Sequence, residues 1–298
     1  MKDQEAIKLQ GDQIIVRSRR SLDKGLEIRK GGLNVNIQAM NRQATAQVGL
    51  FRQMFESYAL SWTQMKKISG LEDHEMQGLI SEGYILARSS FYTERVHYLA
   101  TSKARNFLRQ NGVKVYVKIP KEAPLKNEMH DATLTDLRLG FAEMGYPAWQ
   151  TERCLKQRGM KEVTPDGILE LGRRKVAIEL ELTSKTKKYY EKRFVFYRDH
   201  PAIDAVLYFV AIPKQREKLL ELTRENRKIF VVLLKNFIEH KGDAYVEKSG
   251  FPGTLHLWKF LGTLKERRFL TRKYFQTTND NQTTHSNLDL RTRGISGP

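Results

Sequence analysis

The sequence predicts an α/β protein, with a small helical domain in its first half and a larger domain built on a mixed sheet in its second half. Apolar residues recur at helical spacing from Val48 to Tyr58, which predicts an amphipathic helix. Two nearly continuous apolar runs, at residues 204–212 and 229–234, are typical of strands buried on both faces of a sheet. Residues 165–185 predict a β-hairpin, because two strand-like runs flank a short turn.

Composition bounds the partner and the compartment. The 298 residues include 52 Lys and Arg against 34 Asp and Glu, a formal net charge of +18. This excess suits a polyanion, and we expect nucleic acid, because no stretch is apolar enough to span a bilayer and no N-terminal signal pattern is visible. The single cysteine, Cys154, excludes an internal disulfide and a cysteine-based zinc site, so a reducing cytoplasm is the expected location.

Residues 1–43 form a basic N-terminal arm without one clean period. The triplet at residues 14–16 predicts one short strand, and the alternation over residues 33–37 predicts a second. A solvated extension and an arm that grips phosphates are both open interpretations of this segment.

Residues 44–113 have the element order of a winged helix-turn-helix domain. Ser61 is expected to cap a second helix, and residues 72–83 are expected to form a third. Residues 84–100 predict a two-stranded wing, after which Thr101 or Ser102 caps a closing helix.

The third helix of this domain is a poor surface for a phosphate-lined groove, because it carries four acidic residues and no Lys or Arg. We therefore expect DNA contacts from Lys66 and Lys67 on the second helix, and from Arg88 and Arg95 on the wing. Binding to a protein instead of DNA is the alternative for this domain.

Residues 114–127 are predicted to be a linker, and residues 128–270 the larger domain. Its elements follow the order α-β-β-β-α-β-α-β, with a first strand at residues 147–155. Thr183 or Ser184 is expected to cap the helix after the hairpin. Asn, Gln, Thr and Ser dominate the last residues of the chain, which predicts a disordered tail over 271–298.

The predicted hairpin brings acidic residues together. The pair Gly172-Arg173 suits a two-residue turn. Counting outward from that turn places Asp166 opposite Glu179, and Glu181 on the same face as Glu179, because side chains alternate along a strand.

Carboxylates this close repel one another, and burying them without a counter-ion is costly. A hard divalent cation, Mg²⁺ or Mn²⁺, relieves both penalties, so Asp166, Glu179 and Glu181 are the predicted metal ligands. The alternative is that the two glutamates form the solvated face of an amphipathic strand.

The Pro165-Asp166 pair opening the second strand, with Glu-x-Glu on the third, resembles the PD-(D/E)xK restriction-endonuclease-like fold, an α-β-β-β-α-β domain with a mixed sheet. In that family the two acids bind one or two metal ions, and a lysine two positions later helps position or activate the water. Asp166 and Glu179 match the acids, whereas Glu181 stands in the lysine place. The resemblance implies Lys185, the nearest lysine, as the catalytic cation beside the three acids.

A narrower resemblance covers about residues 44–235. It comprises a winged helix, a helix opened by His130, Pro165-Asp166, Glu179-Leu180-Glu181-Leu182-Thr183, and a basic, aromatic helix with Arg193 and Tyr197. This order is similar to the replication-relaxation family, which includes MobC-type plasmid relaxases. The resemblance implies metal-dependent nicking of supercoiled origin DNA on a mobile element, for conjugative mobilisation or replication, with an auxiliary relaxosome protein as a further partner.

Basic residues around the acids are the predicted DNA contacts of the larger domain. They are His130, Arg173, Arg174, Lys187, Lys188, Lys192 and Arg193. For each lysine the alternative is a solvated helix face. Two other functions stay open: a non-catalytic DNA-binding auxiliary or repressor that retains the nuclease fold, and a restriction- or repair-type endonuclease that breaks both strands.

Overall fold

The structure is a computed structural model, and it divides into two compact units, residues 1–139 and 140–298. The residues it describes are 6–10, 13–17, 30–90, 95–115, 128–160, 162–251 and 253–266, with secondary structure alone for those before residue 42. The predicted tail, and most of the predicted linker, lie outside these ranges. Among the helices of the described ranges, none has both the length and the hydropathy needed to cross a bilayer.

The first unit combines helices with two β-hairpins. Its elements are β1 (Ala6–Gln10), β2 (Gln13–Arg17), α1 (Lys30–Glu56), α2 (Trp62–Ser69), α3 (Asp73–Ser81), β3 (Ile85–Ser89), β4 (Val96–Ala100), α4 (Ser102–Gln110) and the larger part of α5 (Glu128–Glu143). Strand β1 pairs antiparallel with β2, and β3 pairs antiparallel with β4. The helices and the hairpin predicted after residue 44 are confirmed.

Local capping signals predicted where two of these helices begin. The Ser61 hydroxyl accepts from the backbone N–H of Gln64 at 3.2 Å, and the Gln64 side chain accepts from the backbone N–H of Ser61 at 3.0 Å. The Thr101 hydroxyl accepts from the backbone N–H of Lys103 at 3.2 Å. Both predicted caps are therefore confirmed.

The N-terminal arm is only partly as predicted. The strand at residues 14–16 is confirmed as part of β2, whereas the strand predicted at 33–37 is wrong, because those residues lie in α1. Leu33, Ile37 and Met40 are four and three residues apart, which is also helical spacing. The short alternation was part of a longer helical pattern.

The second unit is a seven-stranded mixed sheet with helices. Its remaining elements are β5 (Trp149–Thr151), α6 (Glu152–Gln157), β6 (Gly167–Leu171), β7 (Arg174–Glu181), α7 (Lys187–Asp199), β8 (Ala205–Val210), α8 (Pro213–Leu222), β9 (Ile229–Leu233), α9 (Leu234–His240), β10 (Tyr245–Glu247), β11 (Leu255–His256) and α10 (Leu257–Lys265). The strands lie in the order β11-β10-β9-β8-β7-β6-β5.

Strand β7 is an inner strand of this sheet. It pairs antiparallel with β6 and parallel with β8, and β8 pairs parallel with β9. The predicted hairpin register is confirmed, since Leu171 pairs with Arg174 and Gly167 with Ile178. The predicted mixed α/β architecture is confirmed at this level.

Two boundaries in this unit differ from the prediction. The first strand is shorter than the predicted 147–155, because residues 152–157 form α6 from good helix formers such as Glu, Arg, Leu, Lys and Gln. The helix after the hairpin is capped by Thr186 and not by Thr183 or Ser184, and the Thr186 hydroxyl accepts from the backbone N–H of Tyr189 at 3.3 Å.

Side chains cover both faces of the sheet around β7. On one face, Tyr190 and Tyr197 of α7 pack in a buried cluster with Ala177 of β7. On the other, Phe141 lies against Phe209 of β8, with ring centroids 5.9 Å apart. Any polar side chain on the middle of β7 is therefore removed from water.

Lys248 is a buried cation at the edge of this core. Only 8% of it is exposed, and its Nζ donates to the carbonyl of Asn226 at 2.9 Å and lies 4.7 Å from the ring centroid of Phe230. Burial lowers the pKa of Lys248 to about 8, because the charged form loses its hydration.

This pKa predicts the pH dependence of stability. The unfolded pKa is about 10.4, so between that pH and about 8 the unfolded chain holds the proton more tightly than the folded chain does. We expect the free energy of unfolding, measured by urea denaturation, to rise with pH across this window by about 1.4 kcal/mol for each unit of pKa difference. Lys248→Met is expected to abolish the rise, whereas Lys235→Met, at an exposed position, is expected to keep it. A rise retained in Lys248→Met would contradict the assignment.

Candidate functional site

Two acidic side chains are buried in the middle of the large sheet. Glu179 and Glu181 on β7 are only 2% and 3% exposed. The alternative of a solvated strand face is therefore wrong, because α7 covers the face that an amphipathic edge strand would leave to water. The strand carries its carboxylates inward.

Asp166 lies beside the same strand, directly before β6. Its Oδ2 accepts from the backbone N–H of Leu180 at 2.8 Å, so this carboxylate is held against β7 between the two glutamates. The register predicted for Asp166 continues the pairing of Gly167 with Ile178. A carboxylate fixed by a backbone N–H has a defined position without needing a charged partner.

Helix α7 supplies the partners of Glu179. The guanidinium of Arg193 and the hydroxyl of Tyr197 both donate to Oε1 of Glu179. Arg193 also donates through Nη2 to the carbonyl of Thr164 at 3.0 Å and through Nη1 to the hydroxyl of Tyr189 at 3.2 Å. The spacing of four residues between Tyr189, Arg193 and Tyr197 places them on one face of α7.

The electrostatics of this cluster follow from burial and from neighbouring charges. Burial raises the pKa of Glu179, the adjacent guanidinium of Arg193 lowers it, and the negative charge of Asp166 raises it. Burial lowers the pKa of Arg193, but Glu179 outweighs that effect and the net shift is upward, so the guanidinium stays charged.

The pKa of the Tyr189 phenol is affected by all three acids. Burial raises the pKa of Tyr189 to about 12, and the charges of Glu179, Glu181 and Asp166 each raise it as well, while Arg193 lowers it. The three predicted acids therefore share one electrostatic neighbourhood around Tyr189.

Tyr208 adds a buried hydroxyl to the same place. It pairs in register with Glu179 on the adjacent parallel strand, so the two side chains extend from the same face of the sheet. Its hydroxyl is buried and has no hydrogen-bond partner among the residues that the structure describes. An unsatisfied hydroxyl of this kind is a place where a bound oxygen ligand gains a hydrogen bond.

The acids suit a metal ion held by few protein ligands. No group of three or more His, Cys, Asp or Glu residues is arranged to hold a metal within the described ranges, so the predicted three-ligand set stays a prediction. The structure does bring Asp166 close enough to Glu179 for its negative charge to raise the pKa of Glu179. Mg²⁺ is commonly held by one or two carboxylates with water and phosphate oxygens, so this pair fits such an ion.

Lys185, the predicted catalytic cation, lies elsewhere. It is exposed in the loop before α7, and its Nζ donates to the hydroxyl of Thr183 at 3.2 Å. A cation that does contact a carboxylate of the cluster is Arg193, whose side chain is only 13% exposed. The structure therefore places Arg193 inside the site and not on an outer, DNA-facing surface.

The other predicted DNA contacts of this unit lie at the hairpin turn and on α7. Arg173 is exposed in the hairpin turn, and Arg174 pairs with Asp204. Because Arg174 is five residues from Glu179 along β7, about 17 Å separates their backbones at the usual strand rise. The exposed lysines of α7 are Lys187, Lys188 and Lys192.

The predicted DNA contacts of the first unit are mostly exposed. Lys67, Arg88 and Arg95 are exposed, while Lys66 forms an ion pair with Asp73 at 2.9 Å. The residue His130 is half-buried on α5, with Nδ1 lying 3.7 Å from the carboxylate of Asp131.

Sequence reasoning missed Tyr208 and gave Tyr189 no place in the site, whereas Tyr197 was named with Arg193 on the basic, aromatic helix. The four-residue spacing of Tyr189, Arg193 and Tyr197 indicates that they share one face of a helix. The sequence does not indicate that this face lies against β7. No family model, no curated protein and no solved structure matches this chain.

The two buried hydroxyls give a matched test of the cluster. Tyr197→Phe removes a partner of buried Glu179 and is expected to lower the free energy of unfolding by about 1–3 kcal/mol. Tyr208→Phe removes a hydroxyl without a partner and is expected to be neutral or stabilising by up to about 1 kcal/mol. Urea denaturation measures both, and an equal loss in the two variants would show that the Tyr208 hydroxyl has a native partner.

Proposed function

We propose that this protein is a divalent-metal-dependent endonuclease that nicks supercoiled origin DNA of a mobile genetic element. The observation that carries the proposal is the placement of Glu179 on a fully covered inner strand, with Asp166 held against the backbone of that strand. Acids buried this way need a compensating positive charge, and a hard divalent cation, which also takes phosphate oxygens as ligands, would supply it and give the acids a chemical role.

The fold of the second unit supports the proposal. After the last residues of α5, most of which belongs to the first unit, it has three antiparallel strands, a helix and a parallel strand, which is the order expected of a PD-(D/E)xK restriction-endonuclease-like domain with a mixed sheet. Asp166 before the second strand and Glu179 on the third are where that resemblance expects the two acids. The short helix α6 is an insertion into this order.

The charge of the chain supports DNA as the partner. The net charge of +18 favours a polyanion. We propose that the first unit is a winged helix-turn-helix domain whose wing, the β3-β4 hairpin, holds DNA through exposed Arg88 and Arg95. Exposed Lys187, Lys188 and Lys192 on α7 add positive charge to the second unit.

The roles of the residues follow from their positions. Asp166 and Glu179 would hold the metal, with Glu181 adding negative charge to the same buried face. When bound, such an ion polarises the scissile phosphate and lowers the pKa of a water molecule. Tyr197 orients Glu179, and Arg193 offsets negative charge beside it.

Asp166→Asn is the sharpest single test of this function. The variant removes a charge but keeps an oxygen that accepts from Leu180 N–H, so the fold is expected to be preserved. We expect nicking of supercoiled plasmid in Mg²⁺ or Mn²⁺ to fall by at least the roughly 100-fold typical of changes around metal sites. DNA affinity in a gel-shift assay is expected to stay equal or to rise, because a negative charge is lost.

Asp199→Asn is the matched control, because it removes the same charge from an exposed position at the end of α7. It is expected to nick like the unaltered protein, and EDTA is expected to abolish nicking by both. Full activity in Asp166→Asn would contradict the assignment of the site.

A non-catalytic DNA-binding protein is the second candidate. The observation that favours it is that Arg193 and Tyr197 already satisfy Glu179 without a metal. Plasmid that stays supercoiled in Mg²⁺ and Mn²⁺ while the protein binds it well would support this candidate. Linear product would instead indicate an endonuclease that breaks both strands.

A further inference from the structure

Arg193 already neutralises the carboxylate that the proposed function assigns to a divalent cation. Its guanidinium contacts Oε1 of Glu179, and both side chains are buried. It is a fixed positive charge inside the site, carried by the same chain. A cation that binds Glu179 must therefore displace this guanidinium or accept it as a close neighbour.

The guanidinium has further partners besides Glu179 in the same position. Thr164 offers its carbonyl at 3.0 Å, and Tyr189 offers its hydroxyl at 3.2 Å. The ring of Tyr189 lies 5.5 Å from the guanidinium carbon, within the range of a cation–π contact. Tyr189 is 39% exposed, so a shift of Arg193 toward it is a shift toward solvent.

We propose that Arg193 is an internal counter-ion that holds Glu179 when no divalent cation is bound and competes with that cation for the carboxylate. The inference rests on the proposed metal site at Asp166 and Glu179. It makes Arg193 a positioning residue that sets metal affinity, in addition to offsetting charge in the loaded site.

The direction of the effect follows from charge. A guanidinium beside a carboxylate repels a second cation and occupies the oxygen that the cation needs. Removing the positive charge leaves Glu179 buried without its counter-ion, which weakens the metal-free fold. The same removal leaves the carboxylate open to Mn²⁺, so stability and metal affinity change in opposite directions.

The experiment compares Arg193→Gln with the unaltered protein by isothermal titration with Mn²⁺ and by thermal unfolding in EDTA or Mn²⁺. We expect Arg193→Gln to bind Mn²⁺ about tenfold more tightly, to have a lower Tm in EDTA, and to gain more in Tm from Mn²⁺. Arg193→Lys keeps the charge and is expected to bind Mn²⁺ like the unaltered protein. Arg198→Gln loses an exposed cation on the same helix. It is expected to match the unaltered protein in both Mn²⁺ affinity and Tm.

The outcomes separate this inference from the proposed function. If the unaltered protein binds Mn²⁺ and Arg193→Gln binds it equally or more weakly, the inference is overturned and the metal site stands. If neither binds Mn²⁺, both are overturned. If Arg193→Gln is unfolded in EDTA, Mn²⁺ is expected to restore its folded state, and failure of Mn²⁺ to do so overturns the inference.

Discussion

Burial of acidic side chains on an inner strand is the constraint on which the second unit depends. Strand β7 has hydrogen-bonded neighbours on both sides and packed side chains on both faces, so Glu179 is only 2% exposed. Its charge must be met from within, and α7 meets it through Arg193 and Tyr197. The position of α7 over the sheet is thus specified by an ionic contact as well as by apolar packing. Truncating either partner of that contact would leave the other as an uncompensated charge in a medium of low polarity.

Packing stability alone does not explain this arrangement. Apolar residues of similar volume often stabilise a core as well as a buried ion pair does, or better. Three acids, an arginine and three tyrosines in one neighbourhood therefore need an explanation beyond packing. The proposed binding of a divalent cation by Asp166 and Glu179 would supply one, and it would link the acids to a net charge that favours a polyanionic partner.

Much of the fold was predictable, because local patterns carry it. Period-two and continuous apolar runs located β6, β7, β8 and β9, and a two-residue turn set the hairpin register through Leu171 and Arg174. Errors arose where a short window fitted two periods, as at residues 33–37, or where a strand passed at once into a helix, as at 149–157. The cap at Thr186 was missed because several neighbouring hydroxyl residues carry the same local signal.

The sequence by itself determined which carboxylates meet: Asp166 is aligned with Glu179 by a turn and a count of residues, both local properties. Only the tertiary structure decided that these acids are buried, because exposure of a strand face depends on which distant elements pack over it. The same holds for the cation beside them. Arg193 reaches Glu179 because the parallel crossover from β7 to β8 carries α7 back over β7. This placement is a consequence of chain topology, and the spacing of residues within either segment does not encode it.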